Sequence, residues 1–213
     1  MWWPHYQTPW QLTHPAAPPV AVSWTRTVDP KVEPITIQEA QDQTRYTTDD
    51  NNASLMRYIA SARDAAEETL SRGLLTQTWV LQRDYWADAI WLPMAAPLQI
   101  DTPPTVSYID LNGAQQVLPT TGYIVDSISR PARLLRAAGT TWPSLQADRK
   151  AGIQITYVVG WKTANDVPDR IKQGIRQYLA YLDMDREGMD LQASAALEAA
   201  IRCWDDRVFW IET

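Results

Sequence analysis

The sequence predicts an α+β fold that is mainly α: a helical bundle, two helices before and two after an inserted small antiparallel β unit, with an extended arm at the N-terminus. Three observations predict it. Apolar residues recur at helical spacing on both sides of the chain's middle. Between them the pattern changes to β-branched and aromatic alternation, punctuated by Asn112-Gly113. The first 34 residues are dense in proline, which suits neither a helix nor a central strand. The division that follows is an arm at 1–34, a helical core from 35–73 and 161–208, a β unit at 74–160, and a tail at 209–213.

The arm carries Trp2, Trp3, Trp10 and Trp24 and both histidines, His5 and His14. Disordered tails are poor in aromatics. An arm docked on its own domain or on a neighbour is therefore expected, and these four tryptophans are its candidate inter-subunit contacts. The first ten residues have neither a basic n-region nor an apolar h-region, so no secretory signal is expected.

The first helix opens at Thr36-Ile37-Gln38-Glu39, a capping box in which hydroxyl and carboxylate satisfy first-turn amides, and runs to about Arg45. Asp49-Asp50-Asn51-Asn52 supplies caps for a second, longer helix. Leu55, Ile59, Ala62, Ala66 and Leu70 form its stripe, and Gly73 ends it. Strands are expected at 76–84, 90–92, 106–110, 116–118, 123–125, 133–135 and 153–159, the last closed by Gly160. Pro168, between Asp166 and Asp169, starts the third helix, whose face is Ile171, Ile175, Tyr178 and Leu182. A break near Gly188 precedes the last helix, with Leu197, Ile201, Trp204 and Val208 on one face.

The chain of 213 residues is long enough to bury a core without covalent staples. No run of eighteen apolar residues occurs, so no membrane span is expected. One cysteine, Cys203, excludes an internal disulfide and a cysteine zinc cluster, and it reads as a small buried hydrophobe. No nucleophile elbow, P-loop, dinucleotide fingerprint or zinc-protease motif is present. No catalytic, cofactor or metal residues are assigned, and no cofactor is expected. Asp183 to Gly188 resembles half of a calcium loop, but position twelve is Ser194 where a bidentate glutamate is needed. Net charge is −6, which disfavours a general polyanion binder. Arg130, Arg133 and Arg136 reach phosphate or a subunit contact, or form a solvated strand.

Eleven tryptophans and nine tyrosines stand against one phenylalanine, and fifteen arginines against four lysines. Tryptophan, tyrosine and arginine are interface residues; a GC-rich genome explains the arginine equally well. Val208, Phe209, Trp210 and Ile211 are bulky and apolar near the chain's end. They either pack back on the domain or dock in a partner groove.

In order and spacing, the segments from Pro34 to Ala40, Ser71 to Trp79, Val106 to Asp110, Ile155 to Trp161 and Val167 to Ile175 resemble the head–tail connector (adaptor) proteins of tailed bacteriophages and gene transfer agents. The likeness is to the gp6-like and gp8-like connectors and covers roughly 34–182. It implies a non-enzymatic virion protein of the neck, forming a ring, typically of twelve copies, beneath the portal protein. Such a ring lines the channel through which double-stranded DNA passes and gives tail or neck proteins an attachment platform. The resemblance makes Val208, Phe209, Trp210 and Ile211 candidate portal contacts. Two other readings compete. An aromatic-rich carbohydrate-binding module accounts for the tryptophans, but the helix–β–helix order is unlike a binding sandwich. A hydrolase with scattered carboxylates has no pair at readable spacing.

Overall fold

The computed structural model describes residues 22–44, 52–147, 149–184 and 191–205. An edge strand, β1 (Val22–Val28), precedes helices α1 (Ile37–Thr44) and α2 (Asn52–Leu70). Seven strands follow: β2 (Gln77–Arg83), β3 (Ala89–Trp91), β4 (Thr105–Ile109), β5 (Gln115–Val117), β6 (Tyr123–Asp126), β7 (Arg133–Arg136) and β8 (Ile153–Val159). Helices α3 (Asp169–Met184) and α4 (Leu191–Cys203) close the described fold.

This corrects the mainly helical bundle expected from sequence. The described residues hold four α-helices and eight strands, arranged in two antiparallel sheets. The larger sheet has the order β1-β2-β8-β4-β5 and the smaller β3-β7-β6. The sheets enclose an apolar cluster comparable in size to that of the helices. The sequence understated this because β3 and β5 have three residues each, and β6 and β7 four. Strands so short carry little periodic signal. The segment 22–28, assigned to the arm by its proline-rich neighbours, is itself proline-free and pairs antiparallel with β2 from Val22↔Arg83 to Val28↔Thr78.

Local signals explain most element ends. The Thr36 hydroxyl accepts the Glu39 amide at 3.2 Å, and the Glu39 carboxylate accepts the Thr36 amide at 2.7 Å. This is the reciprocal capping box. Asp49, Asp50 and Asn51 lie outside the described residues. The Asp110 carboxylate accepts the amides of Asn112 and Ala114 at 2.9 and 3.0 Å, and Gly113 takes φ +80°, closing the β4–β5 hairpin. The Pro168 carbonyl accepts the Ile171 amide at 2.9 Å, so the proline heads α3 where its missing N–H costs nothing.

The α2 stripe Leu55, Ile59, Ala62, Ala66 and Leu70 is buried as its spacing requires. Two faces differ from the sequence reading. In α3 the buried residues include Gly174 and Leu179, while Leu182 is only half-buried. Ala200 of α4 and Trp204, just past its end, are buried and Ile201 is exposed. Gly174 accounts for this packing: a Cβ there would overlap the Trp204 indole, so the glycine lets that ring lie against α3. The indole N–H donates to the Ile171 carbonyl at 3.3 Å.

Candidate interaction surfaces

Among the described residues no group of three or more His, Cys, Asp or Glu is placed to hold a metal. Cys203 is half-buried on α4. Asp84, buried at the end of β2, accepts the Ala151 amide at 2.7 Å and faces the Lys150 ammonium at 3.5 Å. Its carboxylate thereby holds the turn into β8. Asp183 ends α3, and the rest of the calcium-like segment, 185–190, lies outside the described residues.

A buried polar network joins helix to sheet. Glu67, near the end of α2, is 2% exposed. One of its oxygens accepts the Leu74 amide at 2.8 Å and the Gln77 side-chain amide at 2.6 Å. The other accepts from Arg26 of β1 at 3.1 Å. Arg26 also meets Asp29 at 2.7 Å and Asp64 at 3.1 Å. Burial pushes the Glu67 carboxyl above its ordinary range, against the opposing pull of its amide donors, Arg63 and Arg26. Burial also works against charge on Arg26, but its hydrogen bond to Asp64 and the nearby carboxylates outweigh it and raise its pKa. Sequence reasoning missed this network, because 41 residues separate Arg26 from Glu67. The available signal was an arginine inside an otherwise uncharged strand.

Arg26 is the one β1 residue that is even partly buried; the other six are exposed. Strand β1 is therefore held by its backbone ladder to β2 and one guanidinium in an acidic cage. Trp24 lies on it, opposite Leu81, and is 50% exposed. Trp2, Trp3 and Trp10 lie outside the described residues, as do Val208, Phe209, Trp210 and Ile211.

Most other tryptophans are committed to packing. Trp86 stacks on Trp142 with centroids 4.6 Å apart, and each indole donates to a backbone carbonyl. Trp79 and Trp161 pack against the two apolar clusters. Trp91 is the exception, 48% exposed on the outer face of the smaller sheet with the Arg133 guanidinium 5.1 Å from its ring. Arg133 also donates to Asp126 at 2.8 Å, and Arg136 donates to the Thr140 carbonyl. The three arginines singled out by sequence thus do not form one basic patch: Arg133 and Arg136 are engaged with their own loops. No arrangement of nucleophile, base and oxyanion donors emerges among the described residues. The exposed features among the described residues are strand edges and individual apolar side chains such as Trp24, Trp91 and Val117.

No family model matches the sequence, and no curated protein is significantly similar to it. Solved structures are similar. A chain in the neck of an empty gene transfer agent (GTA) particle, computed with C6 symmetry, superposes with a TM-score of 0.68 at 18% identity. The match covers 85% of this chain and 94% of that one. A chain in the virion of a native GTA particle gives 0.67 at 17% identity over the same shares. A chain in the neck of the native particle, computed with C12 symmetry, gives 0.64 at 18%, covering 84% of this chain and 94% of that one. The chain shares the fold of these neck proteins.

Proposed function

We propose that the chain is a structural protein of the neck of a phage-like particle, a head–tail connector of the gp6-like or gp8-like kind. The carrying observation is a fold shared with GTA neck chains over 94% of their length. On this reading the protein resides in the virion and has no enzymatic activity. Copies assemble as a ring beneath the portal protein, line the DNA channel and hold the next neck or tail protein. Twelve copies fit the C12 symmetry of the native GTA neck. An acidic chain of net charge −6 suits a channel that passes DNA without retaining it, since phosphate is repelled. Val208, Phe209, Trp210 and Ile211 dock into the portal, and Trp2, Trp3, Trp10 and Trp24 contact the neighbouring copy.

Mass photometry of the chain with its portal ring tests the reading. Twelve copies of 24.2 kDa add about 290 kDa to the portal mass in a closed ring. No gain of mass on an intact portal contradicts a connector. Deleting residues 208–213 is expected to weaken portal attachment while the far-UV spectrum stays unchanged. Full attachment after the deletion excludes the tail as anchor.

A further inference from the structure

Strands β1 and β5 are the two edges of the five-stranded sheet, and among the described residues each pairs on one side only. Exposed edges template pairing with other chains, and natural proteins blunt them with lysine, proline or inward charge. Here the blunting is partial: Arg26 is an inward charge, β1 shifts register between Arg26 and Val28, and β5 is three residues long. Neither strand contains lysine or proline. The only charge on them, Arg26, is turned inward onto Asp64 and Glu67. Apolar side chains stand beside both: Trp24 on β1, and Val117, 65% exposed, on β5.

We infer that β1 of one copy pairs with β5 of the next, so that the sheet runs continuously from subunit to subunit. The inference rests on the ring reading above. The occupant of each edge is a second copy of this chain, for a geometric reason. Every neighbouring pair in the sheet is antiparallel, so across five strands β1 and β5 point the same way. A single rotation-related contact then joins them as parallel neighbours and satisfies both edges at once. Pairing β1 with β1 about a two-fold axis leaves β5 bare and makes a dimer, whereas a heterologous contact closes rings. The cross-strand row Ser23, Gln82, Gln154, Ser107, Val117 spans the sheet from edge to edge on one face. At the junction it continues from Val117 to Ser23 of the next copy, and each copy contributes about 24 Å to the ring.

The test uses the full chain with Cys203→Ser and three variants: Ser23→Cys, Val117→Cys and the two together. Both positions are exposed, so folding is undisturbed. Portal-bound rings are treated with a short bismaleimide and run on a denaturing gel. The double variant is expected to give a ladder of covalent multimers and each single variant a monomer. Amides of 22–28 and 115–117 are expected to slow in hydrogen exchange on assembly. Intact rings in which the double variant stays monomeric overturn the edge pairing and leave the ring standing. Covalent dimers from Ser23→Cys alone overturn it in favour of two-fold pairing. Slowed exchange, in the free chain, of those amides of 22–28 that point away from β2 assigns the β1 edge to the protein's own residues 1–21 and also overturns it. A wild-type chain that never assembles on the portal overturns the ring and the inference with it.

Discussion

Gly160 sits at φ +92°, where the chain leaves β8, and a Cβ there would overlap the backbone of Leu75. Both the conformation and the close approach demand glycine. Gly160→Ala is expected to cost at least about 3 kcal/mol, read as a lowered denaturation midpoint at unchanged slope. A loss under about 1 kcal/mol means the backbones separate freely there. Asp126 is set by a different chemistry. Its carboxylate accepts the Ser129 hydroxyl at 2.7 Å, the amides of Ser129 and Ile128, and Arg133. These donors, the Ser129 hydroxyl first, hold its pKa far below the usual carboxylate range. A depressed folded pKa contributes stability above the unfolded value, about 3.9, and loses it as pH falls toward the folded one. The midpoint difference between wild type and Asp126→Asn is therefore expected to be constant above about pH 5 and to shrink below about pH 4. A difference that grows on acidification contradicts the assignment.

Strand β1 shows what one side chain does for an element. With six of seven residues exposed, hydrophobic burial contributes little, and the Arg26 cage is its main side-chain anchor. Arg26→Met leaves the buried Glu67 without its hydrogen-bonded cation, with only the field of Arg63 remaining. It is expected to cost about 2 kcal/mol and to abolish amide protection across 22–28 while β2–β8 pairing persists. Retained protection means that the ladder alone holds the strand. The elements differ in how far they were legible. The capping box at Thr36 and Glu39 and the stripe of α2 were readable because their partners are three or four residues apart. The Val-Ser-Trp-Thr-Arg-Thr-Val alternation of β1 was present too, but proline-rich flanks argued for an arm. The packing of α4 depends on Gly174, a residue of another helix, and no periodicity within α4 reveals that. The β edges emerge only once strand order is known, because order depends on pairings such as β2 with β8, over seventy residues apart.

At the scale of the molecule, two apolar clusters share no residue: one gathers the helices around Ile59 and Ile175, the other the sheets around Leu81 and Tyr157. They meet along a polar backbone seam. The Trp161 amide donates to the Leu74 carbonyl at 3.0 Å, the Thr76 amide to the Trp161 carbonyl at 3.1 Å, and the Gly73 amide to the Met94 carbonyl at 2.9 Å. Glu67 pins this seam from the helical side, holding the Leu74 amide and Gln77 while Arg26 ties in β1. A chain with two cores unfolds as one only if their junction costs enough to break. Glu67→Ala strands the buried Leu74 amide and removes the acceptor of both Gln77 and Arg26, a loss of about 3 kcal/mol concentrated on that junction. Hydrogen exchange along a urea series separates the outcomes. Wild-type helical and sheet amides are expected to open together, and those of the variant at two distinct denaturant concentrations. Coincident opening in the variant places the coupling in the backbone seam itself, and one carboxylate would then not be what makes two cores behave as a single subunit.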